Sequence, residues 1–224
     1  NRGFSFTKHL NTGERFACRG NKLRLGQHLQ IDLRDALTWK RRIASAQPEQ
    51  NSNQWKAYLE YVRESSTFGR VEEIINGSQQ FLGTYTNLIS KLQPLVGKGP
   101  GLTPLGDDFI VGIAAGMEAY PKSRGVLFSW LHLVHKNTTD MSGRALLYAA
   151  QGWFIEDIVE FLGNLSKPTV ETMPPRLLSI GDTSGTAMAY GCLVGLQAGK
   201  YLPLILPKDA YPVCQYTFNS SPAN

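Results

Sequence analysis

Two apolar segments of this chain carry glycines at four-residue spacing. Gly112 and Gly116 follow Gly106-Asp107-Asp108, and Gly191, Gly195 and Gly199 follow Gly181-Asp182-Thr183-Ser184-Gly185. Residues four apart lie on one face of a helix, and a face without side chains lets a second backbone come close. Two readings follow. Either the segments are central helices packed face to face with both Gly-Asp starts at one end, or each Gly-Asp is a capped helix entry in a different place. The longest uncharged stretch, 183–199, is broken by Thr, Ser, Gly and Gln, so it reads as a buried helix and not as a membrane span.

The rest of the chain fits around such a body. Phe4 and Phe6, Phe16 and Cys18, then Leu23, Leu25, Leu29, Ile31 and Leu33 recur largely at period two, with Gly3, Gly13, Gly20 and Gly26 as turn points. This predicts a small antiparallel β unit over residues 1–46. The polar stretch 47–54 predicts a linker or mobile loop, and 55–224 a helical domain. Within it, Trp55, Leu59 and Val62 form one helical face, Val71, Ile74 and Ile75 a second, and Phe81, Tyr85, Leu88, Ile89 and Leu92 a third. Further helices are predicted over 108–119, 125–136, 142–163, 171–179 and 184–199. The fold class expected is α+β, mainly α-helical with a small N-terminal antiparallel unit.

At 224 residues the chain can bury a core without metal or disulfide staples. Its net charge of +5 is diffuse: the one tight basic cluster is Lys40-Arg41-Arg42, and no Lys/Arg stripe interleaves with aromatics, so nucleic acid is not the expected partner. Cys18, Cys192 and Cys214 are far apart and form no CxxC, which argues against a disulfide framework or cysteine zinc site and for a reducing, cytoplasmic setting. The chain begins at Asn1 and not at Met, so its first residues say nothing of a targeting segment.

The densest chemistry sits just before the first glycine helix, in Gly97-Lys98-Gly99-Pro100-Gly101-Leu102-Thr103-Pro104-Leu105-Gly106-Asp107-Asp108. Such a loop can turn its N–H groups inward and hold a small polar ligand. It is no P-loop, because no Gly-Lys-Ser/Thr closes it, and it is no GxGxxG, because Leu102 stands where the last glycine belongs. Asp107 and Asp108 have three readings: a helix cap, a Mg²⁺ site through carboxylates and waters, or acceptors for an amide NH₂. Lys98, Thr103 and the segment from Thr138 and Thr139 to Ser142 offer donors for phosphate or carboxylate, although Thr139 or Ser142 also reads as the cap of the next helix. His132 and His135 lack a third ligand and read as ordinary histidines.

Together these segments resemble a known bacterial family, the H subunit of the oxamate carbamoyltransferase of anaerobic allantoin (purine nitrogen) catabolism. The resemblance rests on Gly99-Pro100-Gly101-Leu102-Thr103-Pro104 with Gly106-Asp107-Asp108-Phe109, on Thr138-Thr139 with Ser142, and on Ile180-Gly181 with Thr183-Ser184-Gly185. Asp182 stands where the family pattern has His, and Thr186-Ala187 where an Asp often follows. The resemblance implies a multi-subunit enzyme that moves a carbamoyl group between phosphate and the nitrogen of oxamate, linking oxalurate breakdown to carbamoyl phosphate. It implies partner transferase subunits and a small anionic substrate. Asp107 and Asp108 are then the catalytic carboxylates, with Lys98, Gly99, Gly101, Thr103, Thr138, Thr139, Ser142, Asp182, Thr183, Ser184 and Gly185 binding substrate; no cofactor is called for, Mg²⁺ excepted if the two aspartates hold it.

Two other classes stay open. The Gly181-Asp182-Thr183-Ser184-Gly185-Thr186 helix entry looks like that of the ADP-ribosylglycohydrolases, magnesium-dependent helical hydrolases, with Ser184 in place of their second Asp. A non-catalytic structural or regulatory subunit is the third reading, since no nucleophile and base pair stands out.

Overall fold

The computed structural model of the chain describes residues 10–11, 13–27, 29–36, 43, 53–75, 88–120, 124–165, 167 and 174–205. It is an α+β protein, mainly helical with a small N-terminal antiparallel sheet, as the sequence predicts. Two compact units divide it, residues 1–39 and 40–224.

In the first unit β1 (Phe16–Arg19), β2 (Lys22–Leu25) and β3 (Leu29–Asp32) pair in sequence order. Leu23 faces Cys18 and Ile31, and Leu25 faces Phe16 and Leu29, so the period-two residues share one face. That face is only half covered. Along β2 and β3 the alternating residues are half-buried, whereas β1 is exposed throughout and Phe16 is 74% accessible. Phe4 and Phe6 lie outside the described residues.

The second unit begins with α1 (Asn53–Glu64), which buries Trp55, Tyr58 and Val62, and α2 (Phe68–Ile75), which buries Val71 and Ile75. Of the linker expected at 47–54, residues 47–52 lie outside the described residues, as do Phe81 and Tyr85 of the third helical face, while Asn53 and Gln54 are the first residues of α1. α3 (Leu88–Leu92) runs through a 3₁₀ turn at Gln93–Leu95 into the glycine loop and α4 (Leu105–Glu118). Then come α5 (Arg124–Val134), α6 (Asp140–Ala150), α7 (Glu156–Leu165), a 3₁₀ turn at Arg176–Ser179, and α8 (Ser184–Ile205).

Every residue of α4 is buried, which makes it the axis of the unit. Its partner is α8. A Cβ added at Gly112 would stand 2.2 Å from the Met188 carbonyl, one at Gly116 2.2 Å from that of Cys192, and one at Gly195 2.2 Å from that of Ile113. Residue numbers rise together along the contact, from Phe109 against Gly191 to Tyr120 against Gly199, so the two helices run parallel and their starts coincide. Of the two readings of the glycine spacing, the first is the one realised.

Three helix expectations change. The span 142–163 is two helices, because α6 stops at a Schellman turn: Gly152 takes φ of 73°, its N–H reaches the Ala149 carbonyl and Trp153 N–H reaches that of Tyr148, with the Tyr148 and Trp153 rings stacked over the turn. The described part of 171–179 is the short 3₁₀ turn after Pro174-Pro175, two residues that cannot donate to a helix, and 171–173 lie outside the described residues. Finally, α4 starts three residues earlier than predicted, at Leu105, with Pro104 as its N-cap. Asp107 and Asp108 therefore sit inside the first turn and do not cap it.

Candidate functional site

The loop before α4 is built by glycines at positive φ: Gly97 at 70°, Gly99 at 116° and Gly101 at 98°. It folds back on the helix start, with Lys98 N–H on the Leu95 carbonyl and Gly106 N–H on the Lys98 carbonyl, each 2.9 Å. Gly106 must be glycine, because a Cβ there would lie 2.0 Å from the Leu95 carbonyl oxygen.

Asp107 fixes this loop from inside. Its Oδ1 accepts from Gly97 N–H at 2.9 Å and its Oδ2 from the Thr138 hydroxyl at 2.5 Å, so one buried carboxylate joins the loop to the segment before α6. Thr139 is the N-cap of α6, its Oγ1 accepting from Ser142 N–H at 3.2 Å while its hydroxyl donates to the Leu102 carbonyl at 2.5 Å. Thr139→Ala should remove both, lowering stability by about 1 kcal/mol for the cap. Thermal unfolding reads that loss, and faster proteolytic cleavage after Lys98 reads the released loop.

The start of α8 completes the arrangement. Gly185 N–H returns to the Ile180 carbonyl at 2.9 Å, which turns the chain into the helix. The Ser184 hydroxyl donates to the Asp108 carboxyl, and the Thr103 hydroxyl lies 3.4 Å from Ser184 Oγ. Asp108 is buried, and burial is the main force that pushes its pKa up to about 7; the hydrogen bond from Ser184 opposes the shift and the charge of Asp107 adds to it. Its Oδ2 is fully enclosed and has no hydrogen-bond partner among the described residues, and the same is true of Ser142 Oγ.

Asp182 behaves differently from its neighbours. Its exposed carboxylate is held in a two-pronged pair by Arg70 of α2, at 2.6 and 2.8 Å. Beside it, Thr186 is buried in a ring of hydroxyls with Thr67 at 2.7 Å and Ser65 at 3.0 Å. Sequence reasoning missed Arg70, Ser65 and Thr67, because they reach α8 from more than a hundred positions away and belong to no local motif.

The starts of α4, α6 and α8 thus bring together Gly97, Leu102, Thr103, Asp107, Asp108, Thr138, Thr139, Ser142 and Ser184. Lys98 is half-buried at the same loop, and among the described residues its ammonium forms no ion pair. Gly99, Gly101 and Thr183 lie within this loop and helix start. The residues do not fit a Mg²⁺ ion. Both oxygens of Asp107 already accept from N–H and O–H donors, Asp182 is taken by Arg70, and no three His, Cys, Asp or Glu side chains converge among the described residues. The acceptor these contacts leave open is Asp108 Oδ2.

No helix among the described residues is long and apolar enough to cross a membrane. No solved structure matches the chain. Residues 95–196, a segment that contains all three motifs and both glycine faces up to Leu196, match the family model described as oxamate carbamoyltransferase subunit AllH, which supports the family that those motifs resemble.

Proposed function

We propose that this chain is a subunit of an oxamate carbamoyltransferase and that its ligand pocket lies where α4, α6 and α8 begin. One observation carries the reading. The three motif segments are tied to one another by Thr138 to Asp107, Thr139 to Leu102, Thr103 to Ser184 and Ser184 to Asp108, around a buried carboxyl oxygen that lacks a partner.

The chemistry of the substrates matches that set. Phosphate and the oxamate carboxylate need donors, which Lys98, the loop N–H groups at Gly99 and Gly101, and the Thr103 and Thr183 hydroxyls supply, while Gly185 turns the chain into α8 and Ser184 donates to Asp108. The NH₂ groups of carbamoyl phosphate and oxamate need acceptors, which Asp108 supplies through its unpartnered Oδ2. Thr138, Thr139 and Ser142 hold the loop in place. Partner transferase subunits bring the rest of the enzyme.

The test is reconstitution. This chain mixed with its partner subunits should convert carbamoyl phosphate and oxamate to oxalurate and phosphate, and Lys98→Ala should lower kcat/KM for carbamoyl phosphate by about tenfold or more through loss of an oxyanion donor. Unimpaired transfer by Lys98→Ala together with Thr103→Val would put the reaction on another subunit and leave this chain a scaffold. Release of ADP-ribose by the chain alone, dependent on Mg²⁺, would sink the transferase reading in favour of a hydrolase.

A further inference from the structure

We infer that the two adjacent aspartates have separate jobs, with Asp107 holding the loop and Asp108 taking the proton that the attacking amide nitrogen must lose. The inference rests on the carbamoyltransferase reading of this site and deepens it.

The division comes from what each carboxyl already touches. Asp107 spends Oδ1 on Gly97 N–H and Oδ2 on the Thr138 hydroxyl, so it is enclosed by fixed donors. Asp108 receives the Ser184 hydroxyl and keeps Oδ2 buried and unpartnered among the described residues. A carboxyl oxygen shut away from water without a donor is costly, and a ligand N–H would relieve that cost. An amide NH₂ is a donor of the right kind.

An amide nitrogen is a poor nucleophile until a base accepts its proton. As the oxamate nitrogen bonds to the carbamoyl carbon, the C–O bond to phosphate breaks and the N–H proton passes to Asp108. The products are oxalurate and phosphate, and Asp108 returns its proton to the departing phosphate, which leaves the carboxylate ready for another turnover. Thr103 and Ser184 form a short hydroxyl chain toward Asp108 that fixes its orientation. A carboxyl lifted to about 7 suits this task, since a base works best when its pKa lies near the working pH. Of the charges on the elements packed around Asp108, that of Asp107 raises its pKa; the other charged groups there are Lys98 of the loop, Asp182 with Arg70 at the α8 start, and Asp140 and Arg144 at the α6 start.

The experiment measures oxalurate formation by the reconstituted complex from pH 5 to 9, for the wild type, Asp108→Asn and Asp107→Asn, with thermal unfolding of each variant alongside. The wild type should lose about tenfold per pH unit below an acid limb near neutrality. Asp108→Asn should fall by about a hundredfold or more and lose that limb, yet still bind oxamate by calorimetry, because the amide carbonyl still accepts. Asp107→Asn should be slower but keep the limb, moved to lower pH by removal of the neighbouring charge. Full activity in Asp108→Asn, or an acid limb unchanged in both variants, overturns the assignment while the transferase reading stands. Should the Asn variant fail to fold, the shift of the limb in Asp107→Asn decides the question. A wild-type complex that makes no oxalurate overturns both.

Discussion

Gly116→Leu is expected to break the helical unit apart. The Gly116 Cβ position is 2.2 Å from the Cys192 carbonyl oxygen, 2.6 Å from Leu196 N and 2.9 Å from Gly195 C, all backbone atoms that no rotamer change can move. Relief requires α4 and α8 to separate along a face where each is buried, at a cost of about 3 kcal/mol or more, a large share of a domain's stability. Gly195→Ala, facing Ile113 in the same way, should behave similarly even though it adds one methyl. Gly163 of α7 is the control. It is exposed with nothing within 4 Å of its Cβ position, so Gly163→Ala should raise stability by about 0.5–1 kcal/mol. Urea unfolding of the three variants separates the outcomes. A Gly116→Leu protein with wild-type stability would mean that the helices are not in backbone contact.

Asp108→Asn should make the protein more stable at alkaline pH and no more stable at acid pH. The folded pKa of Asp108, about 7, lies above the 3.8 of an unperturbed Asp, so the unfolded chain releases this proton first as pH rises. Stability from this group is therefore fully present below about pH 4 and is lost as pH climbs through 7, to a total on the order of 4 kcal/mol if nothing relaxes. Asp32 and Asp182, both held below the usual carboxylate range by hydrogen bonds from Arg34 and Arg70, add the opposite slope at lower pH, but equally in both proteins. The difference between wild type and variant at pH 5 and pH 8 isolates Asp108. Equal curves at both pH values would show that the carboxyl is hydrated. A variant that gains stability while losing activity is the pattern expected where function keeps a strained group in place.

The glycine spacing was readable from sequence because its cause is local and periodic, and the parallel contact of α4 with α8 is its direct result. The β alternation was readable for the same reason, although its consequence for burial was not: three short strands cannot cover Phe16. What failed were the boundaries. Gly152 ended a helix inside a continuous apolar pattern, where only its positive φ and the stacking of Tyr148 on Trp153 show why. Of the three readings of the aspartate pair, the cap fails because Pro104 begins the helix and Asp107 turns back to the loop. Asp107 and Asp108 are indistinguishable as letters. Their different surroundings come from Thr138 and Ser184, which lie far along the chain. Likewise nothing near Asp182 announces Arg70, since that pairing exists only after α2 meets α8.

The parallel contact of α4 and α8 also governs when the site can exist during synthesis. Antiparallel neighbours can zip up from a short turn, but two parallel helices need the whole intervening chain to return to the same end, here about 80 residues from Gly112 to Gly191, and such distant closures are slow. Until α8 has emerged, α4 is an all-round apolar rod with its glycine face bare, and Asp108 has no Ser184. A ribosome pausing between α7 and α8 would thus hold a chain with most of its helices but with Asp108 and Thr103 lacking their partner at the α8 start. Chaperone contact with nascent chains should be greatest over that interval and fall once residue 196 has left the exit tunnel.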